Sequence, residues 1–166
     1  MVIRKANVSD AEAILNYCKI IGGETDNLTF WSQGVGLTID QEKEYLDKIN
    51  SSDNNIYLVA EEAGEIVGCL NLNSTLKERL KHNAEVGISV KKAYWHRGVG
   101  SMLMNEAIEF AKKINIDNIH LTVRSDNERA KSLYTKFGYK KTGTFYRYIK
   151  IGETFYDCDF MQLFLK

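Results

Sequence analysis

Apolar residues change their period several times along the chain, and each change marks an element. Residues 2–6 (Val-Ile-Arg-Lys-Ala) read as a first strand. Ser9 and Glu12 have capping-box spacing, and Ala11, Ile14, Leu15 and Cys18 then share one helical face. Gly22-Gly23 is the expected stop of that helix. After a loop at 24–37, Thr38 opens a second helix with Tyr45, Leu46 and Ile49 as its apolar stripe. The runs 56–61 and 66–72 predict a hairpin turning at Ala63-Gly64-Glu65. A polar link at 75–83 leads to a central strand at 84–90. Residues 102–114 carry the next helix, where Leu103, Ala107, Phe110, Ala111 and Ile114 recur as a sheet-facing stripe would. A strand at 119–123 and a short helix from Asn127 follow. Strands at 139–150 and 155–165 close the chain, turning at Ile151-Gly152-Glu153.

The order β-α-α-β-β-β-α-β-α-β-β implies an α/β (α+β) fold, one mixed sheet with helices on both faces. No repeat, linker or low-complexity segment interrupts it, so residues 1–166 are expected to form a single domain.

Candidate chemistry concentrates where the central strand ends. Val86-Gly-Ile-Ser-Val90 runs into Trp95-His-Arg-Gly-Val-Gly-Ser101, and the long helix follows directly. Gly98 and Gly100 let the backbone turn sharply and approach a ligand, which a Cβ would hinder. The first free N–H groups of the helix point into that turn and add partial positive charge. A strand, turn and helix so arranged bind a phosphate or pyrophosphate, with Arg97 as a further charge beside it. The glycine spacing is neither the G-x-G-x-x-G of dinucleotide sites nor the Gly-Lys-Ser/Thr of a P-loop.

A second segment sharpens the picture: Asn127-Glu-Arg-Ala-Lys-Ser-Leu-Tyr-Thr-Lys-Phe-Gly-Tyr139. With it, the chain resembles the GCN5-related N-acetyltransferase (GNAT) superfamily over nearly its whole length. The acetyl-CoA motif of that superfamily reads Gln/Arg-x-x-Gly-x-Gly/Ala, then downstream Asn-x-x-Ala-x-x-Leu-Tyr-x-Lys-x-Gly-Phe/Tyr. The match runs through Gly98, Gly100, Asn127, Ala130, Leu133, Tyr134, Lys136, Gly138 and Tyr139. Trp95 departs from it, standing where Gln or Arg is usual.

The resemblance implies a GNAT-like mixed, mostly antiparallel sheet whose central strand and successor splay apart. The pantetheine arm of acetyl-CoA would lie in that gap, paired with the backbone of Ile88, Ser89 and Val90 as an added strand would be. His96, Arg97, Gly98, Val99, Gly100 and Ser101 would form the pyrophosphate turn. Asn127 and Tyr134, seven residues apart, would share one helix face towards the cofactor. The implied activity is transfer of an acetyl group from the CoA thioester to a primary amine of a small molecule or peptide, without a metal.

That reaction makes three demands: the amine loses a proton, the carbonyl oxygen is stabilised as it becomes negative, and the departing thiolate is protonated. Glu85 is the candidate base, a carboxylate at the entry of an otherwise apolar strand; GNAT members of the phosphinothricin-acetyltransferase type carry a base-candidate glutamate there. By the same resemblance Tyr134 is the general acid, and a phenol with a pKa of about 10 is protonated at neutral pH. The Ile88 N–H would hold the oxyanion. A non-catalytic acyl-CoA-binding regulatory module is the alternative reading, and it would keep the glycine turn without needing Tyr134 or Glu85. For the acceptor pocket the candidates are Glu24, Asp26, Phe30 and Trp31, since aromatic faces and carboxylates together suit an ammonium. Tyr146-Arg-Tyr148 and Tyr156-Asp-Cys-Asp159 are candidates to close the same pocket.

Composition narrows the partners. Lysine plus arginine number 22 and aspartate plus glutamate 22, so the formal net charge is zero and no broad grip on nucleic acid or anionic membrane is expected. No apolar run approaches the roughly 20 residues of a membrane span, and no signal-like h-region follows the N-terminal charges. Cys18, Cys69 and Cys158 lack metal or CxxC spacing and read as reduced thiols of a cytoplasmic protein. His82 and His120 have no partner constellation. The expected partner is an amine substrate, and a homodimer stays open.

Overall fold

In the computed structural model, which describes residues 1–166, the expected order is observed. It runs β1 (Val2–Lys5), α1 (Ala11–Glu24), α2 (Ile39–Asn50), β2 (Asn55–Glu62), β3 (Glu65–Ser74), β4 (Asn83–Val90) and α3 (Val99–Lys113). β5 (Asn118–Arg124), α4 (Glu128–Lys136), β6 (Lys140–Ile151) and β7 (Thr154–Phe164) complete it. All seven strands form one sheet in the order β1-β2-β3-β4-β5-β7-β6. Only β4 and β5 pair in parallel; the rest of the ladder is antiparallel.

The period-two alternation of the inner strands sends side chains into two cores. On one face Leu58, Leu70, Leu72 and Val86 pack with Leu103, Met104 and Ala107 of α3 and Tyr134 of α4. On the other, Val59, Ile66 and Cys69 meet Ile14, Tyr17 and Cys18 of α1 and Leu46 of α2. Gly68 lets α3 lie close to the sheet, because a Cβ there would stand 3.1 Å from both Leu103 and Val99. The β2–β3 hairpin turns through Ala63 and Gly64, both at positive φ, as a two-residue type I′ connection requires.

Three local expectations are corrected. The first capping box is Asn7 with Asp10, not Ser9 with Glu12: Asn7 Oδ1 accepts from Ser9 N–H at 3.1 Å and Asp10 Oδ2 accepts from Asn7 N–H at 2.8 Å. Gly22-Gly23 does not stop α1, which continues to Glu24. Gly22 instead makes room for the crossing loop, since a Cβ there would lie 2.1 Å from the Trp31 carbonyl oxygen. Helix α3 begins at Val99, one residue after Gly98 at φ 81°, so the glycine turn and helix start coincide.

The parallel β4–β5 pairing is the feature that opens the sheet. It covers only Asn83 to Glu85 against Asn118 to His120, and the remainder of β4 has no partner on that side. The expected splay is present.

Candidate active site

The splay exposes a definite set of backbone groups. Lys91 N–H donates to Val67 O at 2.9 Å, and the β3–β4 register holds Cys69 opposite Ser89 and Leu70 opposite Ile88. In an antiparallel ladder hydrogen-bonded and non-hydrogen-bonded pairs alternate. Ser89 therefore bonds to β3, while the N–H and C=O groups of Ile88 and Val90 turn into the gap. Val90 O is taken by the indole Nε1 of Trp95 at 2.8 Å. Ile88 N–H, Ile88 C=O and Val90 N–H remain for an extended ligand.

A cavity of about 710 Å³ runs through this gap. Its near wall is the turn: Trp95, His96, Gly98, Val99, Gly100 and Ser101 all line it. Val99, Gly100 and Ser101 are the first residues of α3, and the first intrahelical bond is Met102 N–H to Gly98 O, so their own N–H groups are free. His96 also adopts positive φ (60°), unusual for a residue with a Cβ and consistent with a backbone shaped for a ligand. The opposite wall is α4. Asn127 caps it, accepting from Ala130 N–H at 3.2 Å, and it lines the cavity with Arg129, Leu133 and Tyr134. Gly100 keeps the two helices close: a Cβ would sit 3.0 Å from Leu133.

Tyr134 is buried, at 7 % exposure, yet its side chain borders the cavity. Burial pushes its phenol up to about 12, with Arg129 opposing. It is a proton-bearing donor throughout the neutral range. Trp95 is not idle for lacking the usual Gln or Arg chemistry. Besides fixing Val90, its ring lies under the Arg129 guanidinium, 3.1 Å from the centroid, and so joins β4, the turn and α4.

Arg97, Asp26, Trp31 and Glu85 stand outside the cavity lining, as do the two candidate tail segments. Arg97 turns its side chain to Glu62 at 3.2 Å and over the Tyr94 ring, leaving its backbone in the turn. Asp26 and Trp31 border a separate small groove with residues 149–151. Arg124, itself pinned to Asp126, catches the Asp26 main-chain carbonyl at 3.2 Å. Glu85 is exposed. It shares the sheet face of Gly87 and Ser89 and lies one strand repeat, about 7 Å, beyond Gly87, the last β4 residue of that face to touch the cavity. Glu24 and Phe30 do line it, but Glu24 Oε2 accepts from Lys92 N–H at 2.7 Å and is already engaged. The segments 146–148 and 156–159 do not reach the cavity. Tyr156 lies under Arg124, 3.8 Å from its guanidinium, and Asp159 is buried against Ser125 and Lys141.

On the α1/α2 side the cavity extends to residues that were not among the site candidates: Tyr17, Glu42, Tyr45, Tyr57, Cys69 and Asn71. Tyr17 shares a 2.9 Å hydrogen bond with Ser89, tying α1 to the free strand. Gly87 leaves space for the Asn71 amide, whose oxygen would be 2.6 Å from a Cβ. A signal for Glu42 was present: positions 42, 46 and 49 have helical spacing, so this carboxylate sits on the buried stripe of α2.

A glycine turn at a helix N-terminus, an unpaired strand edge beside it and a buried phenol thus line one cavity. Residues 27–139 match the Acetyltransferase (GNAT) family, and the chain belongs to that family. It is similar to an acetyltransferase of the GNAT family from Streptococcus pneumoniae, with a TM-score of 0.95 and 34% identity over 99% of both chains. Among curated proteins it is 36% identical over 105 residues to the L-amino acid N-acetyltransferase AaaT of Escherichia coli, spanning 63% of this chain and 65% of that protein. It is 33% identical over 103 residues to the N-alpha-acetyltransferase RimI of Mycobacterium tuberculosis, spanning 61% and 63%. The chain thus matches less than two thirds of the length of either curated relative.

Proposed function

We propose that this protein is an acetyl-CoA-dependent N-acetyltransferase that acetylates a primary amine of a small molecule or peptide. The observation that carries the reading is the open edge of β4, with Ile88 and Val90 unpaired beside the α3 turn and Tyr134 on the facing wall. The pyrophosphate of acetyl-CoA rests on the free N–H groups of Val99, Gly100 and Ser101. The pantetheine amides pair with the gap-facing groups of Ile88 and Val90. This places the thioester between Ile88 and Tyr134.

The amine nitrogen attacks the thioester carbon, and Ile88 N–H donates to the carbonyl oxygen as charge gathers there. Collapse forms the amide C–N bond and breaks C–S, with the electron pair leaving on sulfur. Tyr134 donates a hydrogen bond to that sulfur. The proton shed by the amine passes through water to the solvent-exposed Glu85, and the thiolate takes one up from water, so the reaction releases amide and free CoA thiol. The reaction needs a donor for the carbonyl oxygen, a donor for the sulfur and a water route for the proton. The test is CoA thiol release with a panel of primary amines. Acyl-CoA binding without release against any amine refutes the enzyme and favours a regulatory acyl-CoA-binding module.

A further inference from the structure

Glu42 is 3 % exposed and lines the cavity, yet no hydrogen bond, ion pair or neighbouring cation serves its carboxylate. Other sheltered carboxylates are paired: Asp159 with Lys141 and Asp10 with Arg4. A sheltered carboxylate that meets only the cavity and no cation is placed to receive a positively charged ligand.

Its surroundings indicate what that ligand carries. Glu42 is near enough to Cys18, Tyr45, Tyr57 and Cys69 for its charge to raise all four. Tyr45 and Tyr57 stand edge to face, with ring centroids 6.3 Å apart, so aromatic surface flanks the carboxylate. Aromatic faces with an anion favour an ammonium group. The charged residues of the cavity are segregated: Glu24 and Glu42 lie on the α1/α2 side, Arg129 across the gap on α4. A substrate carboxylate would therefore find no cation near Glu42.

Position separates this group from the reacting nitrogen. The thioester site proposed above is over the β4–β5 gap, whereas α2, which carries Glu42, packs on β2, with its Leu46 against Val59 and Cys69. Two strand spacings, about 10 Å, lie between β2 and β4. A nitrogen attacking over the β4–β5 gap is thus offset across the strands from Glu42.

We propose that Glu42 anchors a second, non-reacting ammonium group of the acceptor, so that the preferred substrate is an alkyl diamine or a longer polyamine acetylated at its far end. This rests on the acetyltransferase reading above and narrows its substrate. Burial raises the Glu42 carboxyl above its ordinary range, and an ammonium partner would oppose that shift.

The test compares α,ω-diaminoalkanes from butane to hexane with the matching monoamines. A charge-assisted contact of this kind predicts a diamine preference of about tenfold or more in kcat/KM. Glu42→Gln should collapse that ratio towards one while acetyl-CoA affinity and thermal midpoint report an intact fold. Should glutamine disturb α2, Glu42→Met fills the space without charge and decides the same ratio. A wild-type ratio near one, or a preference that survives Glu42→Gln, overturns the proposal. Equal losses for diamine and monoamine also overturn it, pointing to the reacting nitrogen instead. If no amine is acetylated, the enzyme reading fails separately, and calorimetry of diaminobutane on the CoA-loaded protein still decides Glu42. Binding lost in Glu42→Gln supports the anchor, and no binding to the wild type refutes it.

Discussion

Replacing Tyr134 by phenylalanine removes one hydroxyl and keeps the ring that packs 5.8 Å from Tyr139. Only burial and Arg129 act on that hydroxyl, with no hydrogen-bond partner in the protein, so stability should change by less than about 0.5 kcal/mol. The rate effect follows from the acidity of the two groups. Burial sets the phenol at about 12, and an ordinary alkyl thiol lies at about 8.5. Full proton transfer from Tyr134 to the CoA thiolate is then uphill. The phenol therefore serves as a hydrogen-bond donor to developing negative charge, a contribution of about 1.5–3 kcal/mol. Tyr134→Phe should slow kcat by about 10- to 150-fold, with acetyl-CoA affinity nearly unchanged. The assay is thiol release at saturating acetyl-CoA and amine. A selenoester analogue of acetyl-CoA adds a second arm: its leaving group is more acidic, needs less help, and should shrink the defect. An unchanged kcat would falsify the assignment and reduce Tyr134 to a packing residue.

Trp95→Phe loses the 2.8 Å bond to Val90 O and part of the surface under Arg129, so KM for acetyl-CoA should rise about 3- to 10-fold with kcat less affected, as initial-rate kinetics will show. Gly22→Ala forces a methyl to 2.1 Å from the Trp31 carbonyl; it should cost about 1–3 kcal/mol, read as a lowered thermal midpoint, and an unaltered midpoint would show that the loop crosses elsewhere. Glu85→Gln should lower kcat near neutral pH and recover as pH rises, because more of the amine then arrives already neutral; superimposable pH–rate profiles would remove Glu85 from the proton route.

The element order and the placing of the glycine turn were legible because they depend on local signals: hydrophobic period, capping residues and glycines. Gly98 is read correctly for the same reason, since a left-handed helix cap favours glycine wherever it falls. The errors came where a distant segment decides. Gly22-Gly23 looks like a helix stop until the Trp31 backbone is seen crossing it. Arg97 was expected beside the phosphate, and what the sequence could not show is that Glu62, on a strand far away in sequence, lies 3.2 Å from its guanidinium. Asp26 and Trp31 belong to a loop whose path is set by Arg124 and Gly22. Glu42 is the instructive omission. Its helical spacing with Leu46 and Ile49 marked it as buried, but a carboxylate on an apolar stripe is informative only once it is known to lack a partner.

The same irregularity that weakens the sheet makes the site. Parallel pairing between β4 and β5 stops after Glu85, leaving the gap-facing polar groups of Ile88 and Val90 without a strand to bond. Unpaired buried backbone is normally selected against, since each such group costs about as much as a lost hydrogen bond. Here one of the orphans, Val90 O, is satisfied by Trp95, and that bond comes from the residue that opens the turn. The remaining groups face a cavity walled by α3, α4 and α1, with Tyr17 bracing Ser89 from behind at 2.9 Å. A strand braced on one edge and bare on the other is a template for an extended ligand carrying amides. The α3 N-terminus at the near wall is the proposed seat for the anionic end of that ligand, so strand and turn together would set its direction. In the proposed reading, chemistry is confined to the place between Ile88 and Tyr134. Acceptor choice is left to the α1/α2 wall, where Glu42 stands apart from every residue that handles the cofactor.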